Sequence, residues 1–242
     1  MRRSEYMKAS PPMFRSELLD RFTRVPPAVP VLIYAPAIAG LFAMGAARLG
    51  VLTALGLSLG GYAVWTLTEY WMHRVVFHFE PERGLGARLH WMIHGVHHDH
   101  PNDPMRLVMP PSASVPLALA FYALFWAVLG ADSATAFGAG FLTGYLAYDM
   151  VHYAVHHHRP RTRVGRRLRE LHMRHHFQDD ERGFGVSAPY WDRVFGTAPG
   201  PRSRPEPEST RFPRRLDTVA IRQGSIGREP GGSPHGYAAD RL

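Results

Sequence analysis

Of the 15 histidines in this 242-residue chain, 14 lie between positions 73 and 176, and there is no cysteine. They gather in three places: "HRVVFH" from His73 to His78, "HWMIHGVHHDH" from His90 to His100, and "VHYAVHHHRP" followed by "LHMRHH" between Val151 and His176. Neutral imidazole ligates zinc, iron, copper and nickel. Two histidines three or four apart on a helix point to one side and can share an ion. His94 with His97 and His98, His152 with His156, and His172 with His175 and His176 have that spacing. His73 and His78 are five apart, which an unbroken α-helix aims about 140° apart. They pair only if the helix unwinds near His78, and "FEPERG" just beyond favours that. One ion takes roughly four to six ligands, so these ten imidazoles imply two metal ions. His90, one turn before His94, is a candidate to support a ligand from behind. His100, His157, His158 and His235 fall outside the pattern.

The chemistry open to such a pair narrows quickly. The lack of cysteine removes disulfides, thiolate zinc sites and iron–sulfur clusters. The HExxH pattern of zinc hydrolases is absent, and so is GxSxG. An iron pair with open positions can bind and reduce O2 and so attack an unactivated C–H bond. Zinc is the other metal that fits the same imidazoles.

The elements that must position these side chains are apolar. Pro26 to Ala47, Leu49 to Thr68, Pro110 to Ala131 and Ser133 to Tyr148 carry no charge. About 20 apolar residues cross a bilayer core, so three runs suffice outright and the fourth needs its helix to continue toward His152. The short links at Arg48 and at Ala131-Asp132 pair the runs into two hairpins. The expected fold is therefore all-α: an integral membrane protein of four transmembrane helices with a helical cap holding the histidines. Buried core helices of a soluble protein are the alternative, but such helices rarely lack charge on every face.

Charge sets the orientation. The chain carries 28 Lys and Arg against 20 Asp and Glu. Six of the basic residues precede the first run, four lie between Met72 and Arg106, and 17 follow position 150. Only Arg48 lies in an opposite loop, so both termini and the histidine-rich region are expected in the cytoplasm. Anionic lipid headgroups then account for the basic balance, and no nucleic acid is needed. Residues 1–26 are polar and carry no signal-peptide pattern. The excess of arginine over lysine suits a GC-rich bacterial genome, and with it a bacterial inner membrane.

The expected organisation is a cytoplasmic segment 1–25, a membrane-embedded unit 26–199 and a disordered tail 200–242 rich in Pro, Gly, Ser and charge. Within the unit, "RVGRRLRELHMRHHF" places Leu168, Leu171, His172 and His175 on one helical stripe. A metal pair at the cytoplasmic ends of membrane helices suits a lipid whose tail enters from the bilayer.

The stretches "WTLTEYWMHRVVFH", "LHWMIHGVHH", "PNDPMRLVMPP", "YDMVHYAVHH", "LHMRHHF" and "GFGVSAPYWDRVFGT", covering about Trp65 to Thr197, resemble the fatty acid hydroxylase/sterol desaturase superfamily. The likeness is strongest to the fatty acid 2-hydroxylases of sphingolipids. That resemblance implies metal ligands at His73, His78, His94, His97, His98, His152, His156, His172, His175 and His176. It also implies that Tyr148 and Asp149 stand beside the metals and the substrate channel as catalytic residues. An aspartate at the end of an apolar span is costly there and so points to function. Glu69, four residues before His73, is expected to orient a ligand imidazole. The implied activity is O2-dependent hydroxylation at C2 of a lipid or fatty acyl chain. Eukaryotic members often carry an N-terminal haem domain that residues 1–26 cannot form. Electrons are then expected from a separate ferredoxin- or cytochrome-type donor with its reductase, docking on Arg161, Arg163, Arg166 and Arg167.

Two other readings compete with this one. The same centre could hydroxylate or desaturate a sterol or carotenoid. A membrane metal-binding or transport protein is the non-enzyme reading, but a transporter needs ionisable groups within its spans, whereas these lie at the ends.

Overall fold

The computed structural model describes residues 2–81 and 83–200, and among them every regular element is helical. The expected tail beyond Gly200, with His235 in it, lies outside the described residues. In chain order the helices are α1 (Arg3–Tyr6), α2 (Glu17–Arg21), α3 (Ala28–Leu49), α4 (Val51–Trp71), α5 (Gly84–His90), α6 (Val96–Asp99), α7 (Pro111–Leu129), α8 (Ala131–His157), α9 (Arg163–Phe177) and α10 (Tyr190–Val194). A π-helical turn, Met72–Phe77, prolongs α4, and another, Trp91–Gly95, joins α5 to α6.

The apolar runs form two hairpins, α3–α4 and α7–α8. Each reverses on one glycine, Gly50 with φ 81° and Gly130 with φ 78°, a left-handed backbone that costs glycine nothing because it lacks Cβ. The link expected at Arg48 falls two residues later, because α3 runs on through Arg48 to Leu49. Arg48 Nη1 instead donates to Asp132 Oδ1 at 2.7 Å and ties the two hairpin tips together. Among the described residues three helices are long and apolar enough to cross a membrane: Ala28–Leu49, Val51–Phe77 and Pro111–Leu129. The fourth run forms the N-terminal part of α8, which continues past His152 to His157.

α8 is the helix that the others share; it packs against α3, α4 and α7. Its approach to α4 depends on small residues. A Cβ at Gly140 would overlap the Ser58 carbonyl, and one at Gly61 would overlap the Phe137 carbonyl. Small residues let two helix backbones approach closely, which gains van der Waals packing where a hydrophobic drive is weak. Toward the histidines the core turns aromatic. Trp65 meets Phe141 and Tyr145 edge-on at ring separations of 5.1 and 5.3 Å, and Tyr145 meets Tyr34 at 4.9 Å.

The N-terminal segment is pinned to the loop before α7. Arg106, whose side chain is 2% exposed, pairs with Asp20 at 2.9 Å. Asp20 also pairs with Arg24 at 2.9 Å. His100 Nδ1–H donates to the Tyr6 carbonyl at 2.7 Å, and the two rings lie 4.7 Å apart. His100, unassigned from spacing, thus fastens α1 to the α6 end.

Candidate metal centre

Local helix geometry decides which histidines meet. In the π-helical turn after α4, the His78 amide donates to the His73 carbonyl at 3.1 Å, an i to i+5 bond. The wider turn brings residues five apart nearly into line, and the His73 and His78 rings lie 5.0 Å apart. The helix therefore widens where unwinding was expected. His90 supports this turn from outside, its Nε2–H donating to the Phe77 carbonyl at 2.7 Å.

The ten histidines fall into two groups of five. His73, His78, His94, His98 and His175 form the first cluster; His97, His152, His156, His172 and His176 form the second. Within each, one nitrogen per ring lies within 4.8 Å of all the others, so each group could hold a metal ion. Residues four apart share a helix face more closely than residues three or one apart. His94 and His98 thus face one cluster while His97 faces the other, and His172 and His176 part from His175 in the same way. The Nε2 atoms of His98 and His94 are 2.9 Å apart, and those of His172 and His156 are 2.8 Å apart.

The tautomers support a cation at the first cluster. His73 Nδ1 lies 2.6 Å from the Phe184 carbonyl oxygen, and His175 Nδ1 lies 2.8 Å from that of Arg182. A carbonyl only accepts, so both Nδ1 atoms carry the proton. Their Nε2 atoms are then bare lone pairs, aimed at His94 Nε2 (3.2 Å) and His78 Nε2 (3.1 Å) respectively. Converging lone pairs in a buried site need a positive centre, and imidazole sets of this size suit iron or zinc.

Burial keeps the clustered imidazoles in the neutral form that a metal ion requires. His94, His98, His172 and His176 titrate well below the usual 6.5, first because they are buried and then because neighbouring imidazoles repel a second charge. Burial, followed by His175 and His157, pushes His97 down to about 3. All are neutral near pH 7.

The surroundings correct one expectation. Among the described residues Glu69 is hydrogen-bonded to a loop and to no imidazole: its Oε1 accepts the Ser187 amide at 2.7 Å and its other oxygen the Ser187 hydroxyl. It anchors the loop after α9. Sequence reasoning missed Asp192, which is 1% exposed and accepts from the Phe184 and Gly185 amides, both at 2.9 Å. Two glycines flanking Phe184 were the available signal. Gly183 has φ +83°, and a Cβ on Gly185 would overlap the Ala188 carbonyl. Arg169 of α9 was also missed; it donates to the carbonyls of Val155 and, at 3.2 Å, His156, which end α8 without helical partners. His157 packs on Tyr153 with rings 4.4 Å apart, and His158 is exposed.

Tyr148 and Asp149 lie one turn before His152. The Tyr148 ring is 5.6 Å from that of His152 and 6.0 Å from Trp65. Asp149 is 1% exposed and accepts from Tyr145 OH at 3.2 Å and, at 3.4 Å, from the Met109 amide. Met109 and Tyr145 also line an apolar cleft with Trp65, Leu117, Phe121 and Phe141. The cleft thus borders the two donors that hold Asp149.

Comparisons with known proteins give the family of the chain. Residues 58–197 match the family model for fatty acid hydroxylases. The chain is 35% identical to a dihydroceramide fatty acyl 2-hydroxylase of Arabidopsis thaliana over 192 residues, 78% of this chain and 81% of that protein. Over 199 residues it is 38% identical to a ceramide very long chain fatty acid hydroxylase of Saccharomyces cerevisiae, covering 81% of this chain but 51% of the yeast protein. A solved structure described as full-length Scs7p, with only the hydroxylase domain visible, superimposes with a TM-score of 0.74 at 35% identity, over 79% of this chain and 73% of that one. The matched segment holds the ten clustered histidines, the second hairpin and the loop after α9, and the chain belongs to the fatty acid hydroxylase family.

Proposed function

We propose that this chain is an O2-dependent membrane hydroxylase that places a hydroxyl at C2 of a lipid or fatty acyl chain. The observation that carries the reading is the apolar cleft whose lining residues Met109 and Tyr145 hold Asp149, one turn from His152. The names of its relatives, a dihydroceramide fatty acyl 2-hydroxylase among them, point to the same substrate class.

In this reading α8 is a fourth span, and the hairpin tips at Gly50 and Gly130 face away from the cytoplasm. The distribution of Lys and Arg supports that orientation, with both termini and the histidines on the cytoplasmic side. A lipid held with its head at the polar interface presents the carbons near its carbonyl to the clusters, and its methyl end stays deep. Proximity to the oxidant decides which C–H bond reacts, which favours C2.

The ten histidines would hold the two ions, and an iron pair there would supply O2 reduction and C–H oxidation. The balance is one C2–H, one O2, two electrons and two protons in, and one C2–OH and one water out. Tyr145 OH donates to Asp149 Oδ2 and, with the Met109 amide, fixes that carboxyl beside the cleft. Tyr148 lies between Trp65 and His152, its ring 6.0 and 5.6 Å from theirs. We assign Tyr148 and Asp149 as the catalytic residues on that placement. The electrons come from a separate ferredoxin- or cytochrome-type donor. Arg161, Arg163, Arg166 and Arg167 are exposed at the start of α9 and offer it a basic face.

Lipid mass spectrometry of cells with and without the gene tests the proposal, using acyl chains carrying two deuterons at C2. The expected product is a 2-hydroxyacyl lipid with one deuteron lost from C2 and a primary isotope effect. Both deuterons retained, with oxygen or unsaturation elsewhere, would move the enzyme to a sterol or carotenoid-type oxidation.

A further inference from the structure

The two clusters are not gripped alike. In the first, His73 and His175 each donate Nδ1–H to a backbone carbonyl of one loop, at Phe184 and Arg182. In the second, Nδ1 of His156, His172 and His176 is buried and has no hydrogen-bond partner among the described residues.

The loop that grips the first cluster is itself held from one point. Asp192 Oδ1 accepts the Phe184 amide at 2.9 Å and the Thr197 hydroxyl at 2.8 Å, and its Oδ2 accepts the Gly185 amide at 2.9 Å. The Gly183 amide donates to the Thr197 carbonyl at 2.9 Å, and the Thr197 amide to the Asp192 carbonyl at 2.7 Å. Tyr70 of α4 reaches the Thr197 hydroxyl at 2.9 Å. Phe184 is therefore bonded on both sides of its Cα, its N–H to Asp192 and its C=O to His73. The carboxylate fixes how the peptide is rotated, and the peptide fixes how the imidazole is aimed.

We propose that Asp192 is a positioning residue for the metal of the first cluster, acting through the carbonyls of Phe184 and Arg182, and that the two sites consequently bind their ions unequally, the first more tightly. The inference rests on the reading of the clusters as metal sites. Partners behind a ligand imidazole fix its tautomer and orientation, and losing one typically costs about 10- to 100-fold in metal affinity. Asp192 contributes to two such imidazoles at once, and the second cluster has no equivalent carboxylate behind His156, His172 or His176 among the described residues.

Full-length protein in detergent, loaded with cobalt(II) as an optical probe, tests this by chelator titration. Wild-type protein is expected to hold two ions per chain and to release them in two steps, with the bands of the first cluster leaving last. Those bands are assigned by their loss in a His78→Ala variant. In Asp192→Asn an amide N–H faces a backbone N–H where an acceptor stood. The first-cluster step is then expected to weaken by about 10- to 100-fold, with the second step unchanged to within about twofold. Thr197→Val removes one bond to the carboxylate, and a smaller shift at the same step is expected. It supplies the reading if Asp192→Asn fails to fold. Arg48→Ala, at the far hairpin tips, is expected to move neither step. Unchanged affinities in both Asp192→Asn and Thr197→Val, or equal weakening at both clusters, would overturn the proposal. Wild-type protein that binds no cobalt would instead overturn the metal reading beneath it.

Discussion

His94 and His97 stand three residues apart on one helical run, with rings 5.7 Å apart, yet they serve different clusters. The run passes between the two groups and contributes to both, His94 and His98 to one and His97 to the other. α9 repeats the arrangement with His175 on one side and His172 and His176 on the other. Two helices thus act as a shared wall, and each cluster takes imidazoles from both.

That division predicts separable losses. His94→Ala should empty the first cluster and His97→Ala the second, each leaving about one ion per chain by elemental analysis, because each ion depends on its own set of five imidazoles. Either variant should lose hydroxylation. Complete metal loss from both single variants would show that the clusters form one cooperative site.

Acid should destabilise the metal-free protein well before it touches ordinary carboxylates. Burial first, and then neighbouring imidazoles, lower the folded-state values of His94, His97, His98, His172 and His176 below 6.5. Below pH 6.5 the unfolded chain binds protons that the folded chain refuses, so stability falls as pH falls. For His97 the loss runs from 6.5 down to about 3. Thermal unfolding of the metal-free protein in detergent should be flat from about pH 8 to 7 and drop steadily below about 6.5. A midpoint unchanged down to about pH 5 would contradict the buried neutral state.

The contact between α4 and α8 should not tolerate bulk. Gly140→Leu drives side-chain atoms into the Ser58 backbone and should abolish a folded, detergent-stable protein. A Cβ on Gly56 would meet nothing within 4 Å, so Gly56→Ala should be neutral or stabilising by up to about 1 kcal/mol. Size-exclusion profiles and unfolding midpoints distinguish the two.

Arg106→Met should loosen the N-terminal segment. It leaves Asp20 with Arg24 as its remaining charged partner, and breaking a buried pair costs about 3 kcal/mol or more. Limited proteolysis should then cut between residues 8 and 16 while the spans stay intact. Unchanged protection of the segment would show that His100 and the backbone contacts hold it alone.

Filling the cleft should change chain-length preference. Ala118 lines it beside Leu117 and Phe121, and Ala118→Trp should depress hydroxylation of long acyl chains more than of short ones, with metal content unchanged. An equal loss at all chain lengths would place the acyl chain elsewhere.

The sequence by itself determined what is local. Uncharged runs of about 20 residues specify helices that bury in lipid, and histidines four apart on a helix must face one way. With the three-residue spacing beside it, that second rule picks out eight of the ten histidines, and the first gives the two hairpins; His73 and His78, five apart, needed an interruption of the helix. The tertiary structure decided what depends on long-range partners. His73 meets its supporting carbonyl 111 residues away at Phe184, and Glu69 reaches across 118 residues to Ser187 when its neighbour in sequence, His73, looked the closer partner. The π-helical turn that aligns His73 with His78 was likewise hidden, because the same six residues are compatible with an α-helix and only their packing widens the turn. A backbone carbonyl carries no residue type, so no pattern of letters marks Phe184 and Arg182 as the groups that aim two imidazoles. Only the folded chain brings them there.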